Sequence, residues 1–369
     1  MELMTLDANN QPSKLIENWD SLLWTERYNT VSDFQLETGD ISTFMTLLPE
    51  GTGLTLRDSN YAMVVETHKI ERPKNAASKL IISGRAYSSI LDRRIALQSV
   101  GALTGQANWE VNVKTPSDLA YYAIVKICVD GICSASDIFP AAKVQFPTPA
   151  DYLTSTGPTK PFVIERGNLL EVVRNLLQTE AAADPSTSPA TPAVVQHGLR
   201  SIRPSGTGTA VSIEIFKGTD RSGTIIFDAT RDLLDDGNYL FSKVGSGNAA
   251  YGVASGLAAT MYEGASEPTG LARRVILVDA STSGIADSTI LKNEMSKALA
   301  QAKETALYDG SINQDLSPYK YGVDYSLGDI VTVQGDYGLL TKARVSEYIR
   351  SENASGFKAY PTLETATIY

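Results

Sequence analysis

Several short stretches of this chain carry residue types that could do chemistry. In GTDRSGTI (Gly218–Ile225) a glycine-bounded turn follows an apolar run, the place where a phosphate loop sits. The lysine that follows the last glycine of such a loop is replaced by Thr224, so a turn and helix cap is the better reading. GSGNAAYGVASG (Gly245–Gly256) has two glycines at dinucleotide-loop spacing but no third glycine three residues on, and reads as a loop or hairpin. Asp235 and Asp236 in LLDDGN are adjacent carboxylates without the alternating oxygen ligands of a calcium loop. Glu17, Glu26 and Glu37 could supply a glycosidase pair, but nothing selects two of the three. Arg93 and Arg94 in LDRRI could hold a phosphate, and an ion pair is the simpler use of them. Trp19, Trp24 and Trp109 could stack on sugars, although Trp24 lies in an apolar strand and reads as core.

Metal and thiol chemistry has little to work with. His68 and His197 lie far apart, and the two cysteines, Cys128 and Cys133 in CVDGIC, cannot make a disulfide framework. No catalytic residue, metal ligand or cofactor site is assigned. The chain has 32 Lys and Arg against 42 Asp and Glu, a formal charge of −10 spread along its length. Phosphate repulsion would be unopposed, so no stable nucleic-acid binding is expected. The first twenty residues lack the basic and apolar regions of a signal peptide, and no apolar run approaches the ~18 residues of a membrane span. A soluble protein made in a reducing cytoplasm, with no membrane anchor, is expected. At 369 residues and 43% hydrophobic composition, two or three packed domains are expected.

The elements that would position these residues are strand-rich at both ends. Ser21–Asn29, Ser32–Asp40, Gly51–Asn60, Tyr61–Glu71 and Ala77–Arg85 read as short strands, with Phe34 and Leu36 alternating against Asp33, Gln35 and Glu37. Tyr87–Ile95 reads as one or two helical turns. Thr115–Cys133 fits a helix by its Leu119/Ala123/Ile127 spacing, or a hairpin turning at Asp130-Gly131 that would set the two cysteines face to face. Glu165–Ala182 is an amphipathic helix capped by Asn168, followed by the Pro/Ser/Thr-rich loop Ala183–Ala193. Ala210–Gly218, Asn238–Val244 and Arg273–Ser281 read as strands, and Thr224–Gly237 and Ala286–Gly310 as helices, the latter capped by Asp287 or Ser288. The middle is therefore α/β.

The most regular pattern is YSLGDIVTVQGDYGLLTKARVSEYIRSE (Tyr325–Glu352). From Leu339 to Ser351 the residues Leu339, Thr341, Ala343, Val345 and Ile349 share one face, and Lys342, Arg344, Ser346, Tyr348 and Arg350 the other. Glu347 is the one break in the alternation, on the otherwise inward face. Gly356–Glu364 can return as a further strand. A basic, aromatic outer face made of Lys342, Arg344, Tyr348 and Arg350 is expected to be a subunit interface or a solvated wall.

Four pieces in this order, WTERYNTVSDFQLETGD, GTGLTLRDSNYAMVVETHKIE, LIISGRAYSSILDRRI and YSLGDIVTVQGDYGLLTKARVSEYIR, resemble the hub-like minor tail proteins of long, non-contractile-tailed bacteriophages. These are distant relatives of the baseplate hub of contractile-tailed phages. The resemblance covers roughly Leu15 to Glu364. It implies an α+β fold with two small antiparallel β-barrels separated by α/β elements, a tail-hub architecture. The segments would be an N-terminal barrel with a helical insertion (1–150), a middle α/β region (151–309) and a C-terminal barrel (310–369). It also implies a homotrimer at the virion tail tip, with the barrels in a pseudo-sixfold ring. That ring would close the tail tube, dock to the distal-tail or tail-tube protein and the tape-measure protein, and carry receptor-binding proteins during adsorption and genome ejection. About nineteen residues follow Arg350, so no fused hydrolase or fibre domain is expected. The alternatives are a cell-wall-directed hydrolase or glycan-binding module of the tail tip, and a cytoplasmic α/β enzyme with a β appendage.

Overall fold

The computed structural model describes residues 1–74, 77–98, 109–113, 116–147, 160–178, 180–181, 194–195, 197–264, 266–281, 285, 287–302, 305–312, 316–335 and 340–365. The fold is α+β. Seven strands open the chain: β1 (Leu3–Leu6), β2 (Pro12–Ile16), β3 (Ser21–Arg27), β4 (Asp33–Thr38), β5 (Gly53–Leu56), β6 (Met63–Glu71) and β7 (Lys79–Ala86). The short helix α1 (Ile41–Leu47) starts where Asp40 accepts a hydrogen bond from the Thr43 amide. Alternation sets the faces. Phe34, Leu36 and Thr38 of β4 point inward, as do Leu80, Ile82, Gly84 and Ala86 of β7. Gly84 has no substitute, because a Cβ there would stand 1.9 Å from the Val64 carbonyl oxygen.

Tyr87–Arg93 forms the expected helical turns, as a 3-10 helix. The middle contains β8 (Trp109–Val113) paired with β9 (Lys160–Ile164), helix α2 (Pro116–Ile124) and helix α3 (Leu169–Gln178). A π-helical turn, Val125–Val129, extends α2. Thr115–Cys133 is thus helical from Pro116 to Val129 and bends over 130–133, and Cys128 and Cys133 are both free thiols. Asn168 caps α3 through the Glu171 amide, and Leu169, Val172, Val173, Leu176 and Leu177 are buried as the stripe predicts. The loop Ala183–Ala193 lies outside the described residues. Next come β10 (Gly198–Ile202) and β11 (Val211–Phe216), an antiparallel pair.

Two expected helices are corrected. Residues 224–237 form β12 (Ile226–Asp228), a 3-10 turn Ala229–Arg231 and the start of β13 (Leu234–Ser242). Phe227 explains the first: it is fully buried, edge-on to Tyr319 and Tyr325, with β12 pairing in parallel to a C-terminal strand. Asp232, in the left-handed region at φ 55°, stops the turn from becoming a helix. The strands β14 (Ala249–Ala254), β15 (Leu257–Tyr262) and β16 (Val275–Ala280) follow. Gly245–Gly256 therefore leads into a hairpin, β14–β15. Helix α4 (Ser288–Gln301) lies on this three-stranded sheet, capped by Asp287. It ends at Ala302 rather than Gly310, because the next residues form β17 (Thr305–Ile312) against β13.

The last strands are β18 (Ile330–Gln334), β19 (Leu340–Asn353) and β20 (Gly356–Thr365). They do not form a barrel of their own. The main sheet runs β12-β18-β19-β3-β4-β7-β6-β5-β1-β2, with β20 along the other side of β19, an open order with no closed barrel among the described residues. Strands from the two chain ends thus lie side by side. One core binds them, from Leu3, Trp24 and Phe34 through Phe227 to Tyr325, Val331, Val345 and Leu363. A second core joins α2 and α3 to β8, β9 and β10, and a third lies under α4.

Sharing one core makes the ends interdependent. Removing residues 340–365 is expected to abolish the cooperative unfolding of the N-terminal strands, because β3 loses one of its two partners and the core loses one side. Urea unfolding followed by far-ultraviolet circular dichroism checks this. A sharp transition of native amplitude in the shortened chain would contradict it.

Candidate functional site

The chemistry-bearing residues that the fold brings together meet where β3 joins β19. Along β3 the inward row is Leu22, Trp24 and Glu26, so a carboxylate occupies a core position and is 1% exposed. Burying a carboxylate costs several kcal/mol unless it is paired and hydrogen-bonded. Glu26 meets both conditions. Its Oε1 accepts from Arg350 at 2.7 Å, the Ser59 hydroxyl at 2.6 Å and the Trp24 indole at 3.3 Å. Its Oε2 accepts from the Tyr321 hydroxyl at 3.0 Å.

Arg350 comes from β19, and a β-bulge aims it. The ladder between β19 and β20 shifts between Val345 and Glu347, leaving Ser346 as the extra residue. Before the bulge Ala343 and Val345 are buried; after it Tyr348 and Arg350 are, while Ile349 is partly exposed. One inserted residue inverts the period-two pattern. The expectation that Lys342, Arg344, Tyr348 and Arg350 turn outward together is therefore corrected. Arg350 (5% exposed) and Tyr348 (8%) face the interior, and Arg344 (4%) is covered. Only Lys342 stays accessible, 3.3 Å from Asp220. The break at Glu347 was the visible sign of the bulge.

The surroundings of Arg350 are aromatic. Its guanidinium lies 4.7 Å from the centre of the Tyr348 ring and 5.9 Å from that of Tyr321, and the two rings stack at 3.7 Å. Burial pulls its pKa down, but Glu26 and Asp58 outweigh that and hold it above the ordinary arginine value. Burial, reinforced by Glu26, pushes the Tyr321 hydroxyl well above the usual tyrosine range, so it stays a donor. Arg344 is held separately. It donates to the Gly328 carbonyl at 2.9 Å, lies 5.1 Å from the Tyr28 ring centre and pairs with Glu364 at 3.9 Å.

Above Glu26 and Arg350 opens a cleft of about 430 Å³, also lined by Asp58, Tyr61, Arg200, Lys217, Arg221 and Asp329. Two of its three carboxylates, Glu26 and Asp329, are already engaged, while Asp58 is exposed and stands 3.6 Å from Arg350. Asp329 accepts from the Thr219 amide, the Ser326 amide and Arg221 at 2.7, 2.9 and 2.8 Å. A general acid or base needs a free lone pair or proton at the substrate, and Glu26 and Asp329 spend theirs on the fold.

The other candidates are dispersed. Glu37 lies on the outer face of the sheet, paired with Lys79 at 3.0 Å, and Glu17 is exposed. Trp24 and Trp109 are buried, and Trp19 packs against the main core. Arg94 pairs with Asp137 at 3.5 Å and covers the Phe139 ring. His68 bonds the Leu48 carbonyl. Burial pushes the Cys128 thiol up to about 12, so it is inert at neutral pH. Among the described residues no group of His, Cys, Asp or Glu is placed to hold a metal ion.

A family model described as Siphovirus ReqiPepy6 Gp37-like protein matches residues 168–363, just over half of the chain. Three solved structures share the fold over almost the full length. Prophage tail protein gp18 of Listeria monocytogenes EGD-e is 10% identical, with a TM-score of 0.57 over 99% of this chain and 95% of its own. The 43 kDa tail protein of prophage MuSo2 from Shewanella oneidensis is 14% identical, with a TM-score of 0.57 over 99% and 98%. A tail protein from Neisseria meningitidis MC58 is 13% identical, with a TM-score of 0.55 over 100% and 96%. No curated protein sequence matches.

Breaking the buried pair is costly because it strands a charge. Arg350→Ala or Glu26→Ala is expected to lower stability by about 3–5 kcal/mol. The double variant Glu26→Gln/Arg350→Met should recover much of that, since neither charge remains. Urea midpoints of the three proteins measure it, and singles indistinguishable from wild type would mean the pair is solvated.

Proposed function

Because this chain belongs to the Siphovirus ReqiPepy6 Gp37-like family, we propose that it is a non-enzymatic structural subunit of a phage tail, placed at the tail tip as a hub. The family match carries this reading. In it the protein forms a homotrimer that closes the tail tube, docks to the distal-tail or tail-tube protein and to the tape-measure protein, and carries receptor-binding components. Two features of the chain support it. Glu26 and Asp329, the buried carboxylates of the cleft, are consumed by internal hydrogen bonds. The two chain ends are sewn into one sheet, which suits a part that must transmit force without opening. Within this reading Lys342 can meet a neighbour directly, while Arg344, Tyr348 and Arg350 hold the strand that presents it.

A second reading, a wall-directed hydrolase or glycan-binding module, has the open cleft with Tyr61 and Arg200 in its favour. Electron microscopy of the purified protein separates the two together with a cell-wall zymogram. A threefold ring and no clearing are expected. A strict monomer that clears cell walls would overturn the structural role.

Charge gives a further consequence. Three chains carry three times −10, a formal charge of −30, around a path that the genome must leave by. Cations in the lumen would retain DNA by counterion release, and this balance opposes retention. Polarisation titration with duplex DNA at low salt is expected to show no binding at micromolar protein. Salt-sensitive binding would indicate a basic inner wall.

A further inference from the structure

The sheet under α4 has an unguarded edge. The main sheet ends in protected strands: β2 begins with Pro12 and carries Lys14, β20 contains Lys358 and Pro361, and β12 is three residues long. Proline, lysine and shortness are the usual means of preventing edge-to-edge pairing. Strand β16, VILVDA, pairs with β14 on one side and with no strand on the other among the described residues. It has no proline and no lysine. Its solvent-facing row is Val275, Leu277 and Asp279, with Leu277 68% exposed. Arg273 continues that row, since its guanidinium lies 5.7 Å from the ring centre of Tyr251, the residue paired with Leu277. Beside it, the fully exposed Leu271 extends the apolar surface.

We propose that this edge binds the same edge of a second copy, antiparallel about a twofold axis at Ile276. The order of residues selects this occupant. With the axis at Ile276, Arg273 stands opposite Asp279 and Val275 opposite Leu277, and each pair occurs twice. Directly opposed residues of an antiparallel pair share a face, so both charge pairs and both apolar pairs lie on the exposed surface. A twofold interface must be self-complementary, and this row is. Within one copy Asp279 accepts only from the backbone and hydroxyl of Ser281, at 3.0 and 2.6 Å, with no cation beside it among the described residues. Arg273 bonds Glu267, the Pro268 carbonyl and Tyr251 through its two terminal nitrogens, which leaves its Nε–H for a partner's carboxylate. The other free edge of the sheet, β15, offers Ala258 and Thr260 and no charge to match.

This contact is additional to the threefold reading. Alone it gives a dimer, and together with a ring it joins two rings into a hexamer. Sedimentation equilibrium of the full chain tests it. Wild type is expected to show dimers or hexamers. Asp279→Arg, which sets like charges opposite each other, should weaken this association by roughly tenfold or more. Arg273→Asp/Asp279→Arg, which restores opposite charges, should recover it. Leu277→Asp, at an exposed position, should abolish it with the circular dichroism spectrum unchanged. Trimers without any even-numbered species would overturn the edge contact and leave the ring standing. Dimers without trimers would do the reverse. Association unchanged by both Asp279→Arg and Leu277→Asp would also overturn it.

Discussion

The pair between Glu26 and Arg350 is the constraint on which the rest of the structure depends. A carboxylate taken out of water is tolerated only with its lone pairs filled, and Glu26 fills them from four donors on separate segments. Trp24 is its neighbour on β3, Ser59 lies before β6, Tyr321 lies before β18, and Arg350 is on β19. None of these segments can shift without unsatisfying the group at the centre. The β3–β19 register is fixed accordingly: Tyr348 opposite Glu26 and Arg350 opposite Trp24. A slip of one residue would turn Arg350 out and leave the carboxylate bare.

The bulge at Ser346 makes that register possible. Upstream of it β19 pairs with β18, and downstream with β3, so one strand serves two neighbours in sequence. The Ser346 carbonyl accepts the Tyr28 amide at 2.8 Å, and its hydroxyl donates to the Thr362 carbonyl at 3.1 Å. The extra residue is thus held on both sides. Next to it the chain is packed to its limit. A Cβ on Gly218 would stand 1.9 Å from the Gly328 carbonyl oxygen, and one on Gly328, at φ 87°, would stand 2.2 Å from the Tyr28 ring. Asp329 ties this corner to Thr219 and Arg221. Bulge, glycine corner and ion pair form one joint between the chain ends.

Much of the fold was legible in the sequence, and the losses have physical causes. Strong one-sided patterns read correctly: the alternation of β4, the stripe of α3 with its Asn168 cap, and the cap of α4 at Asp287. The kinship with tail proteins was legible in four segments at both ends and is borne out by the family match. Helical spacing in residues 224–237 misled, because Phe227 finds its place by pairing with a strand a hundred residues away, which no local window shows. The same holds for residues 305–312, claimed from α4 by pairing with β13. At β19 the alternation was read as one register when it was two, so Tyr348 and Arg350, assigned to an outer face, are inside, while Arg344, ahead of the bulge, is covered by its own neighbours. Glu26 was visible only as one of several carboxylates. Its place in the row Leu22-Trp24-Glu26 was the available signal, since a charge in an apolar row requires a partner.

The surfaces that remain differ in kind. The outer face of the main sheet carries opposed ions: Arg85 with Glu66 at 2.7 Å, Lys79 with Glu37 at 3.0 Å, and Arg27 with Glu347 at 2.7 Å. Exposed pairs of this sort add about 0–1 kcal/mol each, so stability is a weak reason for them. Their stronger effect is to keep a broad sheet hydrated and unattractive to other apolar surfaces. The face of β14–β16 is more apolar, showing Val275 and Leu277 beside Tyr251, with the Arg273–Glu267 pair at one end. A monomer gains nothing from that exposure, whereas a protein that works inside an assembly needs faces that stay apart and faces that join. The sheet holding the buried joint is the one kept hydrated. The β14–β16 sheet, which contributes no residue to that joint, is left open, so contacts made there would load the periphery of the fold before its centre.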